Sequence, residues 1–163
     1  MSLLISHRGN ISGINISREN SPDYIQCALD KGFHVVVDVW LVGRSHVALG
    51  TQYPIFPTTI NFLKDNNIIC RAKTVETLEY LLVQGTHCFM DGKDDYILTN
   101  GGLIWTAPGK VVMSRGIFTM PEHVFPDISS LALLTCAGVC SDRIQEIKDK
   151  RMELESNLDT NNQ

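Results

Sequence analysis

Two rhythms of apolar and polar positions run through this chain. Residues 3–6 (Leu-Leu-Ile-Ser) form a short apolar run that reads as a buried strand, and residues 33–42 form the longest one, β-branched on both faces. An apolar run without polar alternation is what a strand covered on both sides requires. Further short runs at 47–49, 68–73, 87–90, 94–99, 102–106 and 116–120 predict more strands. Between them the period lengthens. Ser21-Pro22 opens a helix in which Tyr24, Ile25, Ala28 and Leu29 share a face and Lys31-Gly32 closes it. Thr58 or Thr59 caps a short helix through Ile60, Phe62 and Leu63. Thr74 caps another, with Val75, Leu78, Leu81 and Leu82 as its apolar stripe and Gly85 at its end. Residues 131–139 read as a buried apolar run. Ser141 or Asp142 caps a last helix, with Ile144, Ile147, Leu154 and Leu158 inward and a Glu146–Lys150 pair on its surface.

Strand and helix signals alternate through the first half, the pattern of a parallel α/β sheet or barrel. The 163 residues suffice for one domain, 1–158, followed by a polar tail, 159–163. The net charge of −4 offers no basic stripe, which argues against nucleic acid as a partner. No apolar run reaches the roughly 18 residues of a membrane span, and the start lacks a basic, cleavable leader. The expectation is therefore a soluble cytoplasmic protein. Five cysteines, an odd number with no Cys-x-x-Cys spacing, exclude a disulfide framework or a structural zinc site and read as small buried hydrophobes.

The candidate chemistry lies where two of the apolar runs end. The first ends in His7-Arg8-Gly9, the longest carries Asp38, and Glu19-Asn20 falls between them. Strand side chains alternate, so His34, Val36, Asp38 and Trp40 share one face. These residues, with the runs at 94–96, 104–109 and 136–142, resemble the glycerophosphodiester phosphodiesterases in their short bacterial and viral form. The resemblance implies a TIM-type (β/α) barrel, trimmed or incomplete at this length, with its site at the C-terminal ends of the strands. It implies a divalent metal held by carboxylates and two histidines acting as acid and base on a phosphodiester. On this chain it makes His7 the residual acid/base, Arg8 a phosphate contact, Asp38 a residual metal ligand and Glu19 a residue behind the metal. Lys73 and Arg71 join Arg8 as phosphate-binding groups.

Four positions depart from the family pattern. Val36 stands where a first metal carboxylate belongs. Thr51 and Gln52 stand where the family has His-Asp, the frame being set by Gly50 and Pro54. Arg71 occupies a ligand position. A hard divalent cation needs several oxygens, and acid–base catalysis needs a second proton-transfer group that Thr51 cannot supply. Asp38 can instead pair with Arg8 or Arg71 and stay ionised. Asp91, Asp94 and Asp95 are the possible replacement ligands, and His34, His46 and His87 the remaining histidines near that part of the chain. The expectation is a phosphodiesterase-like fold without catalysis. It would serve as a binding, scaffolding or assembly module for a protein partner or a phosphate-bearing small molecule, with no cofactor. The alternative is an active Mg²⁺- or Ca²⁺-dependent phosphodiesterase with a rebuilt site.

Overall fold

A computed structural model describes residues 2–160 of the chain as a mixed α/β structure with a ten-stranded sheet and four α-helices. The strands are β1 (Leu3–His7), β2 (His34–Val42), β3 (His46–Leu49), β4 (Phe56–Thr58), β5 (Ile68–Ala72), β6 (Cys88–Met90), β7 (Tyr96–Leu98), β8 (Ile104–Thr106), β9 (Gly116–Thr119) and β10 (Gly138–Ser141). The helices are α1 (Pro22–Asp30), α2 (Ile60–Leu63), α3 (Val75–Gln84) and α4 (Ile144–Thr160). None is long and apolar enough to cross a membrane.

Seven strands run parallel in the order β6-β5-β2-β1-β10-β9-β8. The long strand β2 pairs with β5 along residues 35–39 and with the antiparallel β3–β4 hairpin along residues 39–42. At the other end β7 pairs antiparallel with β8. The two ends of the parallel run come together. The rings of Phe89 on β6 and Trp105 on β8 stack at 4.8 Å, and the Asn100 amide after β7 donates to the Cys88 carbonyl of β6 at 3.0 Å.

The period-two alternation sorts each strand into two apolar clusters. Val35, Val37 and Val39 of β2 join Ile25, Leu63, Leu81, Ile144 and Ile147 from the helices. The opposite face supplies Ile5, Val36, Ile69, Phe89, Trp105, Ile117 and Cys140, one residue from each of the seven parallel strands. Burying such side chains stabilises a fold by about 1.5–3 kcal/mol each, so this inner cluster fixes the register of the whole parallel run.

Local signals mostly place the elements, with instructive exceptions. Thr59 and Thr74 accept from the amides of Phe62 and Thr77 at 3.2 Å each, as N-caps do. Ser21 occupies the N-cap of α1 but makes no cap bond; its hydroxyl donates to the Arg18 carbonyl instead. The stripe expected on α3 is rotated. Val75 and Leu82 are exposed, and Thr77 and Leu81 face inward because the Thr77 hydroxyl accepts from the Leu41 amide of β2. The apolar run 131–139 is not buried throughout: Leu131 is buried but Leu133 is 73% exposed, because a 3-10 turn at Ser129–Leu133 breaks it before β10. On α4, Ile144 and Ile147 are buried whereas Leu158 is exposed. Glu146 pairs with Arg143, and Lys150 with Glu153, rather than with each other. Cys70, Cys88 and Cys140 are buried, and Cys27 is exposed. Of the tail expected from Asp159, residues 161–163 lie outside the described residues; the backbone of 159–160 completes α4.

Candidate functional site

The site follows from one rule applied seven times. In each parallel strand the inner apolar residue is followed two positions later, on the same face, by a residue at the C-terminal rim. Ile5 leads to His7, Val36 to Asp38, Ile69 to Arg71, Phe89 to Asp91, Trp105 to Ala107, Ile117 to Thr119 and Cys140 to Asp142. Five of these seven rim positions are ionisable, above a wholly apolar layer. They meet because β2 and β5 pair Asp38 with Arg71, while β1 lies between β2 and β10.

Asp38 is the centre of this rim, with no solvent exposure. Its Oδ1 accepts from Arg71 Nε at 2.6 Å, and its Oδ2 from Arg8 Nε at 2.7 Å and Asn20 Nδ2 at 3.1 Å. The Asn20 side chain also accepts from the Asp38 amide at 2.9 Å, and its Nδ2 reaches Thr51 Oγ1 at 3.2 Å. Burial pushes the Asp38 carboxyl upward, but the Arg71 and Arg8 charges outweigh it and hold the group below its ordinary range. Burial likewise opposes the charge on Arg71, and Asp38 more than restores it.

A second chain of contacts runs from His7. Its Nδ1 lies 2.9 Å from Asp142 Oδ1 and its Nε2 3.4 Å from Arg71 Nη2. A guanidinium can only donate, so Nε2 is the acceptor toward Arg71 and Nδ1 the donor toward Asp142. Asn10 Nδ2 donates to Asp142 Oδ1 at 2.8 Å and to Glu19 Oε1 at 2.7 Å, and Arg8 Nη1 donates to Glu19 Oε2 at 3.3 Å. Behind Asp142, Glu122 accepts from the Asp142 amide at 2.8 Å and from the Ser141 hydroxyl at 2.9 Å. Burial raises the Asp142 carboxyl, and its bonds to His7 and Asn10 bring it below the usual value. Lys73 is hydrogen-bonded to Asp91, whose other oxygen lies 3.9 Å from Arg71.

The backbone is strained where these groups converge. Arg8 and Asn20 both adopt a positive φ, 58° and 64°, uncommon for non-glycine residues. The Arg8 carbonyl accepts from the Asn20 amide at 3.0 Å, so the two turns brace each other. Gly9 follows with φ 93°, and a Cβ there would lie 2.7 Å from the Tyr24 ring. This explains why glycine must close the His-Arg-Gly sequence.

Two cavities on the rim are lined by His7. The smaller, about 170 Å³, sits over the inner cluster beside His7, Arg71, Asp91, Trp105 and Thr119. The larger, about 730 Å³, has His7, Arg8, Glu19 and Asp142 at its floor and Ile14, Ile16, Tyr53 and Ile55 among its walls. Thr51 and Gln52 also line it.

The residues expected from sequence thus fall into one network. His7, Arg8, Glu19, Asp38, Arg71 and Thr51 are linked by successive contacts, and Lys73 joins through Asp91. Val36 lies beneath them, fully buried in the apolar layer. Gln52 lines the large cavity. Asp94 lines the small cavity, whereas Asp95 pairs with Lys110 at the surface. His46 is exposed; His34 and His87 lie at the opposite, N-terminal ends of β2 and β6. Sequence reasoning passed over Asn10 and Asp142 as site residues, and named Asn20 beside Glu19 without giving it a role. Asp142 could have been found by the rule of an apolar run ending in a carboxylate, the signal that marked Asp38.

His7, Glu19 and Asp142 offer ligand atoms within 4.8 Å of one another, a possible metal-binding triad. The donor set does not fit a metal well. Asn10 presents its NH₂ group to both carboxylates, and the Asn15 amide donating to Asn10 Oδ1 at 3.0 Å holds the amide that way round. The Asp38 corner fits still less: its carboxylate accepts from two guanidiniums and an amide where a cation would need free lone pairs. Comparison of the chain with protein-family models, curated proteins and solved structures finds no match in any of the three.

Proposed function

We propose that the chain is a trimmed phosphodiesterase-like barrel whose catalytic rim has been converted into a closed ion-pair network, leaving a cytoplasmic binding or scaffolding module without phosphodiesterase activity. Three observations support the TIM-type reading. The parallel strands contribute one residue each to a shared inner cluster, the ends of the run meet at Phe89 and Trp105, and the polar residues gather at the C-terminal rim. It is trimmed in having seven parallel strands and, among the described residues, no α-helix between β6 and β10.

The observation that carries the functional half is Asp38. Its two oxygens are taken up by Arg8, Arg71 and Asn20, so positive charge is supplied by side chains. The network also occupies the remaining acid/base: Nε2 of His7 faces a guanidinium and no second histidine stands at Thr51. Losing one such group costs about 10²–10⁴ in rate, and losing metal charge stabilisation several kcal/mol more. Arg8, Arg71 and Lys73 are each already paired. Anion binding is therefore weak and falls mainly to the outer nitrogen of Arg8, which has no hydrogen-bond partner among the described residues.

The metal-dependent alternative rests on the His7–Glu19–Asp142 triad. Calorimetric titration of the protein with Ca²⁺ and Mg²⁺ distinguishes the readings. The closed network gives no saturable heat at millimolar concentrations. Saturable binding that is lost in Glu19→Gln and Asp142→Asn establishes the alternative.

A further inference from the structure

Helices cover the outer face of the parallel strands unevenly. α1, α2 and α3 pack on β2, β5 and β6, and α4 packs on β1 and β10. The outer face of β9 has a thinner cover. Its Phe118 joins Ile128 and Leu131, beside the 3-10 turn at Ser129–Leu133, and Val112 of the β8–β9 link packs against them. This cover leaves a groove of about 340 Å³ lined by Val112, Met113, Phe118 and Leu134. Met113 is 61% exposed and Leu134 38%. The groove lies toward the N-terminal edge of the sheet, since Met113 and Ser114 lead into β9, and Thr135 and Cys136 into β10.

α4 supplies a complementary feature at the same edge. It starts after β10, at the opposite end of the strands, and runs back along β10 and β1. Arg151 Nη1 donates to the Ser2 carbonyl at 2.9 Å, so the helix has reached the N-terminal edge there. Residues 152–160 continue past it, about 13 Å of helix at about 1.5 Å per residue. Ile144, Ile147, Leu154 and Leu158 keep to one helical face. Ile144 and Ile147 are buried, Leu154 is half-buried and Leu158 is 65% exposed. The core-facing stripe thus runs on beyond the core it serves.

The charges are also complementary. Residues 152–158 carry Glu153 and Glu155 and no lysine or arginine. The groove lining has Lys110 and no carboxylate. Next to it Arg115 is exposed, donates to the Gly102 carbonyl at 3.0 Å and has no carboxylate partner among the described residues. The 3-10 turn that borders the groove packs on α4, so groove and overhang occupy neighbouring sectors of the wall. A two-fold axis at this edge lets two copies exchange overhangs, with each contact made twice.

We propose that the chain forms a two-fold dimer in which the α4 end of each copy, through Leu154 and Leu158, fills the groove of the other at Met113, Phe118 and Leu134, its glutamates toward Arg115. This surface lies at the opposite end of the strands from the Asp38 rim, so the assignment does not depend on the phosphodiesterase-like reading.

Sedimentation equilibrium of the whole chain, from about 1 to about 200 µM, tests it. The expected species has twice the 18.2 kDa of the chain. Leu158→Glu and Met113→Glu, both at exposed side chains, are each expected to weaken the dimer by about 100-fold or more, because each lost contact occurs twice. Far-UV circular dichroism checks that both variants keep the fold. A monomer throughout the concentration range overturns the proposal. So does a dimer that Met113→Glu leaves intact, which sets overhang against overhang, and a dimer that Leu158→Glu leaves intact, which sets the interface elsewhere.

Discussion

Replacing Asp38 by Asn tests the physical core of this account. The substitution keeps the shape of the side chain and removes its charge. Arg8 and Arg71, with side chains only 18% and 14% exposed, then face each other without the carboxylate that holds both. Removing one partner of a buried ion pair costs about 3–5 kcal/mol. Here one carboxylate serves two guanidiniums at 2.6 and 2.7 Å, so the upper part of that range applies. Against a total stability of about 5–15 kcal/mol, the loss is a large fraction. Urea unfolding followed through the fluorescence of Trp40 and Trp105 reads it directly. With a slope of about 2 kcal/mol per molar, the midpoint falls by about 2 M. The double variant Asp38→Asn/Arg71→Met should recover part of the loss, because it removes one of the two stranded charges. A loss below about 1 kcal/mol, or a double variant as unstable as the sum of the singles, would refute the reasoning.

Two further outcomes follow from the same network. Asp38 and Asp142 have carboxyl groups held below their ordinary values in the folded state, so the unfolded chain binds protons first as the pH falls. Their stabilisation is complete above about pH 4–5 and is lost as the pH drops through the folded values; urea midpoints measured from pH 7 to pH 3 should fall most steeply below about pH 4. Val36→Glu introduces a carboxylate in the fully buried apolar layer that holds Ile5, Ile69 and Phe89. It should destabilise by about 3–5 kcal/mol in the same urea assay and give no turnover, since an unpaired buried charge is the larger effect.

Much of this arrangement was legible in the sequence because strand geometry is periodic. The alternation of Val36 and Asp38 on one face of β2 and the apolar run at 3–6 were enough to bring His7, Arg8 and Asp38 to one rim, and the resemblance added Arg71. Asp142 ends an apolar run as Asp38 does, but its place beside His7 was not legible. Its contact with His7 spans 135 positions and exists because β10 pairs with β1, an adjacency of late and early strands that no local pattern encodes. Asn10 was missed, and Asn20 was named without a role, because amides in loops carry no periodic signal; their roles come from the positive-φ turns that aim them. The rotated face of α3 has a related cause: a single partly buried hydrogen bond from the Leu41 amide to Thr77 outweighs the apolar count on the other side. Leu133 escaped burial because a 3-10 turn interrupts a run that hydropathy alone reads as continuous.

The most direct test of the central claim is turnover. The purified protein is incubated with glycerophosphocholine and with a bis-ester reporter at saturating Mg²⁺ or Ca²⁺, and release of the alcohol is followed over hours. The closed ion-pair network at Asp38 predicts a rate indistinguishable from buffer with the same cations, unchanged in His7→Ala. Cation-dependent turnover that His7→Ala abolishes would contradict it.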